Sequence, residues 1–362
     1  MPGLFDELDL RDTTLRNRVA VSPMCQYSCE ARDGLATDWH HVHLGARAAG
    51  GAGLVVTEAT AVEPRGRISP QDLGIWSDEH ADALRDTVSF VNGQGATSCI
   101  QLAHAGRKAS TYRPSDRDKG TTVQNEHGWT PVGPTAEPYP TDDALDVEPL
   151  DADGIERVKT AFREAAERSL DAGFDAAEVH GAHGYLLHEF YSPVTNTRDD
   201  EYGGGFSGRT RLLREVTREV RDVWPDDKPV LVRLSATDWM GEDGWTIDDT
   251  ARLAPLLADD GADLLDISAG GIHPDQEIPH AGPHYQTPLA ERVTEALDGK
   301  ECAVGAVGGI TTPEGAEEVV RNGRADVTLL AREHLRDPQF ALTAADALDE
   351  ELPVPRQYRR GY

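Results

Sequence analysis

Eight short, nearly continuous apolar segments recur along the chain, each followed by a stretch of helical periodicity, and this alternation is the strongest constraint on the fold. They are RVAVSP (18–23), GLVVTE (53–58), TSCIQL (97–102), DAAEVH (175–180), PVLVRL (229–234), ADLLDIS (262–268), CAVGAV (302–307) and ADVTLLA (325–331). Segments apolar at almost every position suit strands covered on both faces, as in parallel sheets. Between them the period lengthens to that of a helix: Ile155, Val158, Phe162 and Ala165 share one face, as do Leu213, Val216, Val220 and Trp224. Eight such units predict a (β/α)8 barrel. A doubly wound open sheet is the alternative, but no GxGxxG opens the first helix. The segment LFDELDLRDTTLRNR reads as an N-terminal hairpin that plugs the mouth opposite the strands' carboxyl ends. One connection is exceptional: about fifty residues rich in Pro, Gly, Thr and Asp separate the third strand from a helix starting near Asp153. It follows a strand, so it belongs to the active-site face, and residues 111–150 are expected to form a capping loop there. The chain, 1–362, reads as one barrel domain with a C-terminal tail at 353–362.

Charge narrows the function. The net charge is −29, with thirty arginines but only five lysines, and the acid excess runs through every segment. Such a surface repels nucleic-acid phosphates. It suits a protein kept soluble in concentrated salt, where counterions screen self-repulsion, so a halophilic source is expected. No run of eighteen apolar residues is present and the first residues, MPGLFDELDLRD, are acidic. A cytoplasmic protein without a membrane partner is therefore expected. Cys25, Cys29, Cys99 and Cys302 are too few and too scattered for a disulfide framework, and one CxxxC pair does not point to a zinc or iron–sulfur site.

In a barrel of this kind, chemistry collects at the carboxyl ends of the strands. Those ends read SPMCQY, TEAT, QLAHAGRK, HGAHGY, RLSATDW, SAGG, GAVGGI and LLARE. The last two lead into helices, and paired loops after the seventh and eighth strands commonly bind phosphate through backbone N–H groups. Glycines there let the backbone approach an anion closely, and Arg332 can neutralise it with a planar fork. A flavin-free isomerase or aldolase acting on a sugar phosphate shares such loops. It would need a Schiff-base lysine or a carboxylate base at a strand end, and only Lys108 is a plausible lysine. The pair His180 and His183 suggests a metal at first sight, but no third ligand is obvious. WHHVH (39–43) reads as the start of a helix, with packing and solvent-facing residues.

Together the motifs resemble the Old Yellow Enzyme family of FMN-dependent ene-reductases. The resemblance rests on SPMCQY, EATAVEPRGRISPQDLGIW, QLAHAGRKA, GFDAAEVHGAHGYLLHEFYSPVTNTRDDEYGG, VGGI and the terminal RRGY, and runs from about residue 4 to the end. A cysteine in the first strand motif places it nearest the family's thermophilic-like branch. The resemblance implies FMN as cofactor, NADPH or NADH as hydride donor, and an activated alkene, an enone or nitroalkene, as substrate. It implies no metal. The FMN-binding residues it implies are Pro23, Met24, Cys25, Ala59, Gln101, Arg233, Ser268, Gly308, Gly309, Ala331 and Arg332. Arg233 would be the fixed cation beside the flavin's N1/C2=O edge and Gln101 the amide reading its pyrimidine edge. Residues alone leave Arg233 an equally simple role as the ion-pair partner of a core carboxylate such as Asp266. His180 and His183 would donate N–H bonds to the substrate's carbonyl or nitro oxygen; relatives carry His/Asn or His/His here. Tyr185 would give a proton to Cα, Cys25 would tune the flavin, and Tyr27 would add a hydrogen bond to substrate. Lys108 matches the family but receives no role from sequence, and the 111–150 loop is where relatives diverge. Arg360 would reach a neighbouring subunit's site, with Tyr362 holding the tail against the partner, which implies a homodimer or homotetramer. A non-catalytic flavin-binding redox sensor is the remaining alternative, and it would require neither Tyr185 nor both histidines.

Overall fold

The computed structural model describes residues 1–114, 116 and 121–361. Eight parallel strands close into a barrel in chain order: β1 (Val19–Val21), β2 (Leu54–Ala61), β3 (Thr97–Ala103), β4 (Ala176–Gly181), β5 (Val230–Ser235), β6 (Leu264–Ser268), β7 (Ala303–Val307) and β8 (Val327–Leu330). Each is one of the eight apolar segments of the sequence, and helices pack against the outside of the barrel.

Successive side chains of a barrel strand alternate between the axis and the helical layer. Ala177 and Val179 of β4, with Val230, Val232 and Leu234 of β5, join the outer core with the helices. There Ile155, Val158, Phe162 and Ala165 of helix Ala152–Ala172 are fully buried. The Asp151 carboxylate accepts the Gly154 N–H at 2.7 Å and so starts that helix by capping it. The inward residues at the opposite level form a separate apolar floor of Leu54, Cys99, Ala176, Leu231 and Leu264. Strands Leu8–Leu10 and Thr13–Leu15 pair antiparallel as the N-terminal hairpin. Its Leu10 and Leu15 pack into that floor, which closes the bottom of the barrel.

The 111–150 connection spans a short bridge between Val132–Gly133 and Glu148–Pro149. Its residues 115 and 117–120 lie outside the described residues. No helix among the described residues is long and apolar enough to cross a membrane.

Candidate active site at the carboxyl ends of the strands

Above the apolar floor, the same inward alternation places Gln101 (β3), Glu178 (β4), Arg233 (β5) and Asp266 (β6) in one polar layer. The strand register sets Gln101 opposite Glu178 and Arg233 opposite Asp266. Gln101 Nε2 donates to Glu178 Oε1 at 2.7 Å, and Arg233 Nη2 donates to Ser22 Oγ at 3.2 Å. Arg233 Nε lies 3.0 Å from Asp266 Oδ2, an ion pair by distance. The contact is poorly aligned for a hydrogen bond, so Arg233 Nε, both Asp266 oxygens and Glu178 Oε2 lack hydrogen-bond partners among the described residues. Burial pushes both carboxyls above their ordinary range, and Arg233 opposes it. One guanidinium thus serves two buried carboxyls.

β4 carries His180 near its end and runs into the sequence Gly181-Ala-His-Gly-Tyr, so the strand end and the turn together carry the three rings of the site. The His180 ring lies 5.3 Å from those of both His183 and Tyr185, edge-on in each case. His183 has φ +61°, a left-handed conformation unusual for a residue with a side chain. Three partners fix it there. Its N–H donates to Ser235 Oγ at 2.9 Å, its carbonyl accepts from Lys108 Nζ at 2.8 Å, and its Nε2 lies 2.7 Å from Ser268 Oγ. Gly184 follows, also at positive φ, where an added Cβ would stand 2.1 Å from the Gly271 carbonyl. The turn therefore packs backbone to backbone against the loop after β6, which only glycine permits. His188 supports it from below: its Nδ1 accepts the Gly184 N–H at 2.9 Å and its Nε2 donates to Asp238 at 2.7 Å.

The electrostatics of this turn are those of neutral donors. Burial, reinforced by Arg233, pushes both His180 and His183 well below the usual imidazole range. His180 Nδ1 is buried without a partner. Burial holds the Tyr185 phenol well above its ordinary value, with Cys25, Asp72 and Tyr139 adding to the effect. The Cys25 thiol is likewise pushed up by burial. Cys25, Tyr27, Ile68 and Tyr185 pack in one cluster around Ala59 and Ala103.

On the other flank, a cavity of about 400 Å³ is lined by Ser268, Gly308, Gly309, Ala331 and Arg332. Gly308 and Gly309 take φ +112° and +75°, and a Cβ on Gly309 would stand 2.6 Å from the Gly282 carbonyl. Arg332 is exposed beside them, and no ion pair involves it among the described residues. An anion cradle of glycine backbone and a free guanidinium, at the same end of the barrel as the Arg233–Gln101 layer, fits a phosphate-bearing cofactor with a polar ring edge. A larger cleft of about 1000 Å³ lies between the hairpin and residues such as Asp263, Lys300 and Asp326. It sits at the amino ends of the strands, away from every group described above, and size alone does not make it the site.

The structure thus gathers Pro23, Met24, Cys25, Tyr27, Ala59, Gln101, His180, His183, Tyr185, Arg233, Ser268, Gly308, Gly309, Ala331 and Arg332 at one end of the barrel. Arg233 pairs with Asp266, as the simpler of its two readings expects, and it also stands in the polar layer beneath the mouth. Arg360 is exposed in the tail and is not brought to its own chain's site; Tyr362 lies outside the described residues. Helix Asp38–Ala49 does begin at WHHVH, with Trp39 exposed and His40 and His43 buried. The sequence reading passed over Ser22, Ser235 and the part played by Lys108. Ser22 and Ser235 do stand in strand-end motifs, SPMCQY and RLSATDW, and that position was the available signal.

The family model for the NADH:flavin oxidoreductase / NADH oxidase family matches residues 3–351. An NADPH dehydrogenase of Listeria monocytogenes serotype 4a (strain HCC23) is 44% identical over 362 residues, covering 100% of both chains. The NADPH dehydrogenase of Bacillus subtilis (strain 168) is 44% identical over 364 residues, covering 99% of each. Among solved structures, an old yellow enzyme homologue from Zymomonas mobilis superposes with a TM-score of 0.76 at 27% identity, covering 97% of this chain and 94% of that one.

Proposed function

Since this chain belongs to the NADH:flavin oxidoreductase / NADH oxidase family and is an NAD(P)H-dependent FMN oxidoreductase, we propose that it reduces the C=C bond of α,β-unsaturated carbonyl or nitro compounds. The observation that carries the reading is the end of β4 and the turn after it, which set the His180 ring 5.3 Å from both the His183 ring and the Tyr185 ring. FMN, when bound, would supply the hydride chemistry between NAD(P)H and the alkene carbon β to the activating group. Arg233, Gln101, Cys25 and Ala59 would hold its ring system, and Gly308, Gly309 and Arg332 its phosphate.

The remaining work falls to the chain. His180 and His183 hold the substrate's carbonyl or nitro oxygen by N–H donation and stabilise the negative charge that grows on it. Neutral donors suffice, and burial keeps them neutral. Tyr185 holds the proton that Cα requires. Burial keeps that proton on the phenol until a more basic carbon meets it. The Schiff-base alternative is disfavoured because Lys108 Nζ is committed to two backbone carbonyls at 2.8 and 2.9 Å.

The test is anaerobic. NADPH should bleach the yellow protein and cyclohexenone should restore the colour. Tyr185→Phe should slow the second step far more than the first. Bleaching without recovery by any enone or nitroalkene would leave a flavoprotein with some other acceptor.

A further inference from the structure

A second cavity, of about 170 Å³, lies beneath the capping loop and borders the site. Ile68 and Tyr185 belong both to its wall and to the cluster that contains Cys25 and Tyr27. The rest of its apolar wall comes from Ala109, Pro131, Tyr139, Ala144 and Leu145. Tyr185 and Ile68 thus form a wall common to this chamber and to the cluster at the site.

Several polar groups of its wall are spent within the protein. Thr122 Oγ1 donates to the Asp143 carbonyl at 2.6 Å, and Thr111 Oγ1 to the Ile68 carbonyl at 3.0 Å. Lys108 Nζ is spent on the His183 and Gly271 carbonyls. Arg107 gives Nη1 to the Pro138 carbonyl and Nη2 to that of Ile272. Its Nε has no partner, and its guanidinium lies 5.7 Å from the centre of the Tyr139 ring. What faces the chamber is therefore mainly methyl, methylene and ring carbon. Close-packed interiors hold few voids larger than a water molecule. A chamber of this size, on the order of the ~150 Å³ that accommodates benzene, favours an apolar guest over water.

We propose that this chamber receives an apolar substituent carried on Cα of the substrate, so that the enzyme prefers enones with an alkyl chain of several carbons at that position. The assignment rests on the ene-reductase reading, which sets Tyr185 against Cα. In that reading Cα is the alkene carbon nearest Tyr185, so a substituent carried there is the one closest to the chamber wall that Tyr185 forms, and one on Cβ starts a carbon further away. The selecting residues are Ile68, Leu145 and Tyr139.

The experiment compares 2-alkylcyclohexenones from methyl to pentyl with the 3-alkyl series, and measures binding of 2-alkylphenols to the oxidised protein as unreactive probes. Both kcat/KM and phenol affinity should rise by roughly fourfold per methylene in the 2-alkyl series until the chamber is full, and should not rise in the 3-alkyl series. Leu145→Trp, which fills the chamber, should abolish the rise while leaving FMN content and cyclohexenone turnover unchanged. Leu145→Ala should move the optimum to a longer chain, and it serves where the tryptophan is not tolerated. A flat 2-alkyl series, or the same rise in Leu145→Trp, overturns the proposal while leaving the ene-reductase reading intact. A protein inert to cyclohexenone and every other enone defeats that reading first, and this assignment with it.

Discussion

Lys108 Nζ donates a 2.8 Å hydrogen bond to the backbone carbonyl of His183. The same ammonium holds the Gly271 carbonyl at 2.9 Å and lies 5.0 Å from the centre of the Tyr185 ring. One cation thus ties the loop after β6 to the turn after β4 and faces the phenol on that turn. A left-handed residue such as His183 persists only where its surroundings over-determine it, and Lys108 is one of the groups that do so. Burial lowers the Lys108 pKa to about 8, with Arg107 acting in the same direction and Glu189 opposing.

Lys108→Met should therefore keep FMN but weaken phenol binding and enone reduction by roughly ten- to a hundredfold, the usual worth of hydrogen bonds from a charged group. Enone reduction by the wild type should decline as the pH passes about 8 and Lys108 loses its proton. Lys108→Arg, which stays charged, should lose that alkaline limb even if its rate is lower. An unaltered pH profile in the arginine variant would confine Lys108 to packing.

Replacing His180 and His183 together with alanine should leave FMN bound and slow enone reduction at least about a hundredfold, since one oxyanion donor alone is commonly worth that much. Both imidazoles are held below their ordinary range. Binding of a phenol in its neutral form should accordingly stay flat from pH 6 to 7, below the range in which Lys108 titrates, as isothermal titration can show. Normal turnover by the double variant would remove both histidines from the substrate's oxygen.

Glu189 gives a stability test. Its Oε1 accepts the Arg107 N–H at 2.9 Å, its Oε2 has no partner, and burial raises its pKa to about 8. A carboxyl raised in the folded state favours the fold fully below its unfolded value, and that contribution fades as the pH climbs to the folded value. The melting temperature of the wild type should fall between pH 5 and 8. Glu189→Gln mimics the protonated carboxyl, and its melting temperature should fall by roughly 5 °C less over the same window. Parallel curves for the two proteins would assign the decline to other groups.

The net charge of −29 carries a separate expectation, that the fold requires salt. Lowering potassium chloride from 1 M to 0.1 M lengthens the screening distance from ~3 to ~10 Å, which should lower the melting temperature and release FMN. A melting temperature indifferent to that change would dispose of the halophilic reading.

Arg360 is exposed on its own chain, and we propose that it completes a partner's site in a homo-oligomer. Mixed Arg360→Ala and Tyr185→Phe subunits would then carry both lesions in one site and neither in the other. Activity should partly return on exchange. No return despite demonstrated exchange, or full activity in a chain ending at Arg356, would leave the tail without a catalytic part.

Much of this architecture was legible because apolar continuity and barrel alternation are local properties. The eight segments differ from the strands by only a few residues, and the largest displacement has a visible cause. β2 was expected to end at Glu58 but runs to Ala61, past an irregularity in its pairing with β3 between Val56 and Ala59. There the Thr57 hydroxyl accepts the Gln101 N–H at 3.0 Å in place of a ladder carbonyl. Residue types at strand ends likewise pointed to the histidines, Tyr185 and Arg233. The clamp made by Lys108 was not legible, because it joins residues 163 positions apart through loops whose mutual placement no periodicity encodes. The side chamber was hidden for the same reason, since its walls come from the 106–111 turn and the capping loop at once.

The backbone of residue 183 also acts as a filter on evolutionary change. Few side chains enter the left-handed region readily, and His, Asn and Asp are the enriched exceptions among non-glycine residues. Of these, only histidine and asparagine can present an N–H donor to an anionic oxygen while uncharged. Glutamine, arginine or lysine would supply the donor but pay for the φ of +61°. The His/Asn alternation that the resemblance implies at this position therefore follows from the turn as much as from the reaction: selection for chemistry operates only on the residues that the main chain has already admitted.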